Sequence, residues 1–499
     1  MISNNIPEVK LGLIASSRSN FADELSETSR EQIGRLLLRN KVNVHVVSRL
    51  VVTEEHAVEA VREAKEAGCN ALAVILGNFG PETAETLIAK FFEGPVMYAA
   101  VSEIDEGSMY GARRDAYCGM LNCSYNLDIR SLNAYVPQYP VGTPEEICQM
   151  IRNYIPVARG VIGLRNLKVI TFGPRPNDFL ACNAPIKPIF TLGAEIQENS
   201  ELDLYLSWLD HKNDKRIPGI VEEMKRQVGG RYEDTLVRMA QYEVTLLDWI
   251  EQTRGASSYV TLASKCWSAF QKAYGFLPCF VHSRLAGRGI PVGCETDVYG
   301  ALSEFIGDCL SDQPTAILDI NNDISEDIYR KRIKGIFPYS DREVFIGFHC
   351  GNTAQEMLCS SRLTYKMNRK DPYAAETGKE ENRGTLEGRL RDGKVSVFRL
   401  HADADGKLQS YIGDGEILPI DLDTYGCYAV FGIPHMDTFY RQVLIEKHFP
   451  HHSAIVYGDH SAQLFELMRF LNIPYIGCNQ TKADAPGACP FEYQYKVQQ

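Results

Sequence analysis

The chain is short of the features that most quickly identify a protein class. It has no apolar run of 18 or more residues, and therefore no candidate transmembrane helix. Its amino terminus lacks the basic and apolar regions of a secretory leader, and its 14 cysteines include no CxxC pair. We therefore expect buried or free thiols rather than a disulfide framework, and a cytoplasmic location. No HExxH sequence is present either, so any metal site must be assembled from distant segments.

Positive charge is also in deficit. Lys and Arg total 52 against 64 Asp and Glu, so the formal net charge is −12. Since a polyanion is bound by a local excess of positive charge, this balance argues against a nucleic acid or an anionic membrane as partner. The apolar fraction of 44% is ordinary for a globular protein, and 499 residues are too many for one hydrophobic core. The length predicts about three domains.

The first third of the chain alternates regularly between two kinds of segment. Short apolar runs typical of buried parallel strands are followed by longer runs with helical spacing of apolar residues. The predicted strands cover residues 9–15, 42–47, 71–77 and 96–101, and the predicted helices cover 21–40, 54–67 and 81–92. This order predicts a doubly wound α/β domain, which we place at residues 1–163.

A second α/β series follows at residues 164–309. After a first strand it shows helical patterns, at 219–228, 232–252 and 260–274. From residue 310 the pattern changes to short strand-like runs between closely spaced turns, which predicts a β-rich, barrel-like domain over residues 310–499. The predicted fold class is therefore α/β, with two doubly wound α/β domains followed by a β-rich domain. Within the last domain, residues 366–395 are dense in charge and glycine and are predicted to form a solvated loop or lid.

The twenty residues from 281 to 300 concentrate glycine, arginine and carboxylate. Glu295 lies there between a strand-like run at 290–293 and a helix-like run at 298–310. A carboxylate at the carboxyl end of a strand faces the crevice in which open α/β sheets bind ligands. The glycines of the segment allow close backbone approach. Glu295 is therefore a candidate site residue, and Asp297 is placed to support it.

Three further residues lie where predicted strands begin or end. Asp319 and His349 each end a predicted strand, and His452 directly precedes one. Carboxylate and imidazole ligands together suit manganese or magnesium, and less exclusively zinc or cobalt. From residue chemistry alone, Asp319 is also explained by a turn or a helix cap, and each histidine by a core position in which a backbone carbonyl satisfies it.

Three motifs give the chain a family resemblance. They are Gly293-Cys-Glu-Thr-Asp-Val-Tyr-Gly300, the strand ending in Leu318-Asp319, and His451-His452-Ser-Ala-Ile-Val-Tyr-Gly458. Together they resemble the L-fucose isomerase and L-arabinose isomerase superfamily, with matching order and spacing over residues 160–480. The amino-terminal domain resembles the family only in its α/β pattern.

The resemblance implies a divalent metal site. In that superfamily a Mn²⁺-type ion is held by a glutamate, a second carboxylate and a histidine near the carboxyl terminus. Carried over by motif, these look like Glu295, Asp319 and His452. Mg²⁺ or Co²⁺ would suit the same ligands. The arabinose isomerase branch adds a histidine on the strand after the second carboxylate, and His349 is placed to match it, whereas the fucose isomerase branch lacks a histidine there.

The activity that the resemblance implies is aldose–ketose isomerisation. A metal that chelates two adjacent sugar oxygens stabilises the enediolate formed when a proton moves between C2 and C1. Glu295 and Asp319 would act both as ligands and as the acid/base pair, although a hydride shift between the two carbons stays open. The substrate would be an aldose resembling L-fucose or D-arabinose, or a modified hexose such as sulfoquinovose. The family also implies a homo-oligomer, with a hexameric arrangement.

Four residues are weaker candidates for substrate binding: Arg18, Arg284, Arg288 and Trp267. Arg18 follows the first predicted strand, and in a hexamer its loop would be available to a neighbouring subunit, although a surface arginine is the simpler explanation. Arg284 and Arg288 would orient Glu295 or bind an anionic substituent, unless they are structural. Trp267 would stack on a sugar face, but its helical spacing from two later aromatic residues is more typical of a core.

Two other function classes stay open on the sequence. A non-catalytic sugar-binding protein built on two α/β lobes would bind a sugar without a metal and leave it unchanged. A metal-dependent hydrolase or aldolase would use similar ligands but release two products instead of one isomer. The β-rich third domain counts against the first class, and the ordered set of ligands favours the isomerase.

Overall fold

The computed structural model describes residues 5–366, 380–482, 485 and 487–492 of the chain. Three sheets carry the fold. The strands are β1 (Leu11–Ser16), β2 (Val44–Val46), β3 (Ala71–Leu76), β4 (Val96–Val101), β5 (Val141–Gly142), β6 (Leu167–Phe172), β7 (Glu195–Asn199), β8 (Tyr259–Ser264), β9 (Val292–Cys294), β10 (Ala316–Asp323), β11 (Val344–His349), β12 (Arg362–Tyr365), β13 (Arg383–Arg389), β14 (Gly393–Ala402), β15 (Leu408–Leu418), β16 (Cys427–Gly432), β17 (His452–Tyr457) and β18 (Tyr475–Cys478).

The described α-helices connect and cover these sheets. They are α1 (Asp23–Arg39), α2 (Glu54–Glu66), α3 (Glu82–Phe91), α4 (Ser108–Gly111), α5 (Ala116–Asp128), α6 (Pro144–Arg165), α7 (Lys187–Thr191), α8 (Glu201–Asp210), α9 (Ile217–Val228), α10 (Glu233–Thr253), α11 (Phe270–Tyr274), α12 (Cys279–Ala286), α13 (Val298–Ser311), α14 (Glu326–Arg332), α15 (Met436–Phe439) and α16 (Ser461–Phe470). Short 3₁₀ turns lie at Leu180–Cys182, Asp341–Glu343, Gln355–Met357 and Glu380–Asn382, and a π-helical turn lies at Tyr440–Ile445.

The first sheet confirms the predicted doubly wound pattern. Its strand order is β2-β1-β3-β4-β5, and all neighbours are parallel. Every residue of β1, β3 and β4 is buried, which is why these strands read as continuous apolar runs and not as alternating ones. Helices α1, α2 and α3 follow the strands as the sequence predicts.

The second sheet is also parallel, with the order β7-β6-β8-β9. The helical pattern predicted for residues 260–274 is wrong in its first half, because strand β8 occupies Tyr259–Ser264 and only Phe270–Tyr274 is helical. Residues 260–264 form a short buried apolar run, and periodicity alone cannot distinguish such a run from a buried helix. The strand places Ser264 beside Cys294 of β9, at the end of the sheet from which Glu295 continues.

The third sheet closes into a barrel. Strands β16-β11-β10-β17-β14-β15 are neighbours in that order, and β15 pairs with β16 to complete the ring. The barrel-like prediction is therefore confirmed. Two details differ from it: β10 continues past Asp319 to Asp323, and part of the predicted loop at 366–395 is strand β13. β13 lies between β12 and β16, and its seven residues include two arginines and a glutamate, so little apolar pattern reveals it. Residues 367–379 of that loop lie outside the described residues.

The chain divides into two compact units. One consists mainly of Gly163–Ser461 and Ile473–Pro490, the other mainly of Pro7–Ile162 and Ala462–Asn472, and each has its own apolar core. Each sheet takes its strands from one of the three predicted domains, whose boundaries at 163/164 and 309/310 stay a prediction. None of the helices in the described part of the chain is both long and apolar enough to cross a membrane.

Candidate active site

Glu295 occupies the turn that joins β9 to α13. Its φ is 60°, and that of Thr296 is 56°, so two consecutive non-glycine residues hold a left-handed backbone. Such conformations cost free energy and concentrate at functional sites. Gly293 allows α13 to begin close to β9, because a Cβ at this position would lie 2.3 Å from the Asp297 carbonyl oxygen. The strained turn and the close approach of α13 to β9 at Gly293 therefore position the Glu295 carboxylate.

The barrel supplies the other candidate ligands through strand pairing. Asp319 of β10 lies directly opposite His452 of β17, and opposite Phe348 of β11 on its other side. His349 follows Phe348 at the end of β11. Residues that are 133 positions apart in the chain thus become neighbours because the ladder sets their register.

Two of the predicted ligands, Glu295 and Asp319, face one imidazole nitrogen of the third, His452. His452 Nε2 lies 3.4 Å from Oε2 of Glu295 and 3.5 Å from Oδ1 of Asp319. The His452 side chain is 1% exposed, and Nε2 makes no hydrogen bond to any described residue. Its other nitrogen, Nδ1, lies 2.8 Å from Oδ2 of Asp297. Because Nδ1 donates its proton to Asp297, Nε2 is the nitrogen that faces the other two carboxylates.

Asp297 is held by a buried arginine that sequence reasoning missed. Arg399 of β14 donates from Nη1 to Oδ2 at 2.6 Å and from Nη2 to Oδ1 at 2.8 Å. Asp297 also caps α13 by accepting a hydrogen bond from the Gly300 N–H at 2.9 Å. Burial raises the pKa of Asp297, but Arg399 and His452 outweigh it and hold the pKa well below its ordinary value. Asp297 is therefore a permanent anion that can orient His452.

The ionisation of the site follows from these contacts. Burial raises the pKa of Glu295, but the neighbouring imidazoles of His452 and His349 outweigh burial, and the pKa lies below its ordinary value. Burial lowers the pKa of His452, but the hydrogen bond to Asp297 raises it more, to well above the ordinary value. In the metal-free chain the site therefore holds carboxylate anions against an imidazole that binds a second proton on Nε2, and a cation bound there would take the place of that proton.

His349 lies beside this group with a different hydrogen bond. Its ring centroid is 5.7 Å from that of His452, and its Nδ1 accepts a hydrogen bond from the Cys350 N–H at 2.9 Å. With Nδ1 used as an acceptor, the proton of the neutral imidazole resides on Nε2. Burial lowers the pKa of His349, which favours this neutral form. The prediction that His349 is a fourth metal ligand stays a prediction, and its hydrogen bond suits a donor better.

Aromatic side chains surround the carboxylates. Trp267 donates from Nε1 to Oε1 of Glu295 at 3.2 Å, so the residue that was a candidate for sugar stacking binds a predicted metal ligand. Two neighbours were missed by sequence reasoning. Phe179 lies edge-on to Trp267 with 5.9 Å between ring centroids, and His451 Nε2 lies 3.7 Å from Oδ1 of Asp319. Phe179 lies in a loop and has no sequence motif that would signal it. His451 belongs to the His451-His452 motif, but nothing in that motif indicates a contact with Asp319.

The donor set fits a divalent cation. Two overlapping sets of ligand atoms lie within 4.8 Å of one another and share His452; one adds Asp319 and His451, the other Glu295 and Cys182. Burial raises the pKa of the Cys182 thiol, and its Sγ lies 3.9 Å from Nδ1 of His452, the nitrogen that is hydrogen-bonded to Asp297. The oxygen and nitrogen donors suit a divalent cation, with Glu295 and Asp319 in different sets that meet at His452.

The remaining predicted substrate-binding residues lie elsewhere. Arg284 donates to the buried Glu243 from Nε at 2.6 Å, and Arg288 contacts the same carboxylate at 2.7 Å. These contacts give both arginines a structural partner and none with Glu295, so the expectation that they orient Glu295 gains no support. Arg18 belongs to the other compact unit, where its guanidinium lies 3.6 Å from Glu82. The expectation that the Arg18 loop contributes to the site of a neighbouring subunit stays a prediction.

Comparison with known proteins finds similarity to sugar isomerases. The family described as the fucose/sulfoquinovose isomerase N-terminal domain matches residues 12–165, and that described as the L-fucose isomerase C-terminal domain matches residues 347–479. A sulfoquinovose isomerase of Priestia megaterium is 23% identical over 482 residues, which cover 91% of this chain and 96% of the relative. Sulfoquinovose isomerases of Alkalicoccus urumqiensis and a Clostridium species are 23% and 26% identical, covering 69% and 67% of this chain and 72% and 70% of theirs.

Similarity to solved structures is much weaker. A solute-binding protein of an ABC transporter from Burkholderia multivorans aligns with a TM-score of 0.17 at 10% identity, covering 52% of this chain and 80% of that one, and carries no argument. The family matches and relatives, in contrast, define an enzyme of the aldose–ketose isomerase class. The chain belongs to the fucose-isomerase-like superfamily.

Proposed function

We propose that this isomerase depends on a divalent metal held by Glu295, Asp319 and His452. The observation that carries the proposal is the Nε2 atom of His452, a buried nitrogen without a hydrogen-bond partner among the described residues, which faces two carboxylates. A buried polar atom is costly to leave unpaired, and a cation at this point would pair it. Mn²⁺ is the preferred ion, and Mg²⁺ or Co²⁺ would suit the same donors.

The ligands and the residues around them have separate roles in the proposed reaction. Bound there, the ion would polarise two adjacent sugar oxygens and stabilise the negative charge that develops on them. Glu295 and Asp319 are placed to take a proton from one sugar carbon and return it to the next. Trp267 holds Oε1 of Glu295, which keeps Oε2 directed at His452. His349 would donate from Nε2 to a sugar oxygen, since its Nδ1 already accepts from Cys350.

The substrate that we propose is sulfoquinovose or a closely similar sulfonated aldose. The support is comparative: the relatives named above are sulfoquinovose isomerases, and the P. megaterium enzyme aligns with nearly the whole chain. L-Fucose and D-arabinose are the competing substrates. A hydrolase or an aldolase is the alternative chemistry, and it differs in releasing two products.

The experiment is a proton NMR assay in deuterium oxide. The protein is stripped of metal, reloaded with Mn²⁺, freed of excess ion and offered sulfoquinovose, L-fucose or D-arabinose. We expect ketose formation with loss of the C2 proton signal from sulfoquinovose, and a fall in turnover of about a thousandfold or more in Glu295→Gln and Asp319→Asn. Asp327→Asn, an exposed carboxylate outside the site, is the matched control. Equal turnover by the metal-free protein, or by Glu295→Gln, would sink the proposal.

We also propose a homo-oligomer. Tyr117, Leu121 and Tyr125 lie four residues apart along α5 and therefore share one face, and they are 63%, 65% and 65% exposed. An exposed apolar stripe of this kind marks a protein interface, and a second copy of the chain is the partner that the family resemblance implies. Leu121→Asp should lower the molar mass measured by light scattering. Leu38→Asp, at an exposed leucine on α1, should leave it unchanged.

A cytoplasmic location is part of the same proposal. None of the 14 cysteines, all of which lie in the described residues, forms a disulfide bond, and ten of them are buried. Thiols in this number stay reduced in a reducing compartment. Titration of the denatured protein with a thiol reagent, after isolation without reductant, should count 14 thiols; a markedly lower count would contradict the proposal.

A further inference from the structure

The loop between β6 and α7 forms part of the wall of the site. At its centre, the ring of Phe179 lies edge-on to Trp267 and to His451, with centroid distances of 5.9 and 5.5 Å and interplanar angles of 79° and 84°. The same ring lies 6.3 Å from that of His452. Phe179 thus packs against the side chain that binds Glu295 and against both histidines at the start of β17.

Buried side chains hold this loop near both of its ends. Lys265, which follows β8, donates from Nζ to the Pro174 carbonyl at 2.6 Å. Tyr299, in the first turn of α13, donates its hydroxyl to the Pro185 carbonyl at 2.8 Å. Lys265 is 9% exposed and Tyr299 is fully buried. Since both tethers come from elements that also position Glu295, the loop is fixed relative to the site.

The backbone immediately before Phe179 is strained. Asp178 has a φ of 58°, a left-handed conformation that a residue with a Cβ resists. Phe179 itself is only half-buried, whereas Phe172 and Phe270 of the same unit are 1% and 5% exposed. Core packing therefore does not use the whole ring. The strain and the tethers present an aromatic surface that is left partly uncovered beside the two histidines.

We propose that Phe179 is a substrate-positioning residue of the isomerase. Its uncovered ring surface contacts the C–H face of the bound sugar, and its edge contacts keep Trp267 and His451 in place. The proposal rests on the isomerase function and on the site described above. Aromatic rings fix the orientation of a ligand through shape and apolar contact, while polar groups recognise its hydroxyls. Phe179 would therefore determine the orientation of the bound sugar, and the carboxylates would determine where the proton moves.

The test compares Phe179→Leu, which keeps an apolar side chain but loses the flat ring, with Phe179→Tyr, which keeps the ring. We expect kcat/KM of Phe179→Leu to fall about tenfold or more, mainly through KM, and Phe179→Tyr to retain most of the wild-type value. Mn²⁺ affinity, measured by electron paramagnetic resonance without sugar, should be unchanged in both. Leu180→Ala is the matched control, because Leu180 is the next loop residue and is 65% exposed.

Three outcomes would overturn the proposal. They are an unchanged kcat/KM in Phe179→Leu, an equal loss in Phe179→Tyr, and a loss of Mn²⁺ affinity that matches the loss of activity, which would make Phe179 a structural support only. Binding of the sugar alcohol of sulfoquinovose, which cannot isomerise, separates this proposal from the proposed function. If the wild type binds that alcohol but converts no aldose, the function fails, and a tenfold weaker binding in Phe179→Leu still supports the residue; equal binding overturns it.

Discussion

Nδ1 of His452 lies 2.8 Å from Oδ2 of Asp297, and this hydrogen bond determines which imidazole nitrogen faces the carboxylates. Asp297 is in turn paired with Arg399 through two hydrogen bonds and caps α13. One carboxylate therefore links a barrel strand to the helix that begins beside Glu295. The orientation of the histidine and the position of the glutamate depend on the same group.

Asp297→Asn should weaken Mn²⁺ binding by about 10- to 100-fold. An amide can accept hydrogen bonds only at its one oxygen, its NH2 group would face donors, and it has no charge with which to hold the imidazole proton and the Arg399 guanidinium together. Titration of Mn²⁺ by electron paramagnetic resonance measures the change, and thermal unfolding of the metal-free protein shows how much of it comes from lost stability. Affinity within twofold of the wild type, in a folded variant, would mean that Asp297 does not orient His452.

Trp267→Phe removes the Nε1–H that binds Oε1 of Glu295 and keeps most of the aromatic ring. We expect kcat to fall about tenfold or more, because a hydrogen bond to a charged group contributes roughly 1.5–3 kcal/mol, with KM little changed. Steady-state kinetics at saturating Mn²⁺ measure this. Trp249→Phe is the control, since Trp249 Nε1 has no partner among the described residues. A rise in KM alone would instead support the stacking role expected from the sequence.

Arg284→Met separates a structural arginine from a substrate-binding one. The side chains of Arg284 and Glu243 are 4% and 0% exposed, so the variant leaves a buried carboxylate with only Arg288 to pair it. We expect a loss of about 3 kcal/mol in the free energy of unfolding, and an unchanged kcat/KM below the unfolding transition. Denaturant titration and kinetics at low temperature provide the two values. Activity lost for a sulfonated sugar but retained for a neutral one would restore the substrate-binding prediction.

Glu85→Gln should change how stability depends on pH. Burial raises the pKa of Glu85 to about 8, against 4.5 for an exposed glutamate, so the folded chain keeps a proton that the unfolded chain releases. This group therefore stabilises the fold most at low pH, and its contribution is lost as pH rises from 4.5 towards 8. Glutamine has no such dependence, and the variant should gain up to about 5 kcal/mol relative to the wild type across that range. Denaturant midpoints at pH 5 to 8 that shift in parallel would contradict this.

Much of the fold was predictable because its signals are local. Buried parallel strands read as continuous apolar runs, and α13 begins where Asp297 precedes an apolar helical pattern. The strand β8 was mistaken for a helix because a six-residue buried run has no diagnostic period. β13 was hidden in a charged segment, since a strand that contributes mainly backbone pairing needs no apolar pattern.

The sequence by itself determined which residue types were available for the chemistry. Glu295, Asp319 and His452 stand in recognisable motifs, and their order along the chain carries the family resemblance. Which of them meet was decided by the tertiary structure. The β10–β17 register sets Asp319 opposite His452, and contacts between other distant segments bring Arg399 to Asp297 and Phe179 to the histidines. Strand register and loop tethers are long-range contacts between segments 91 or more residues apart, and no local periodicity encodes them.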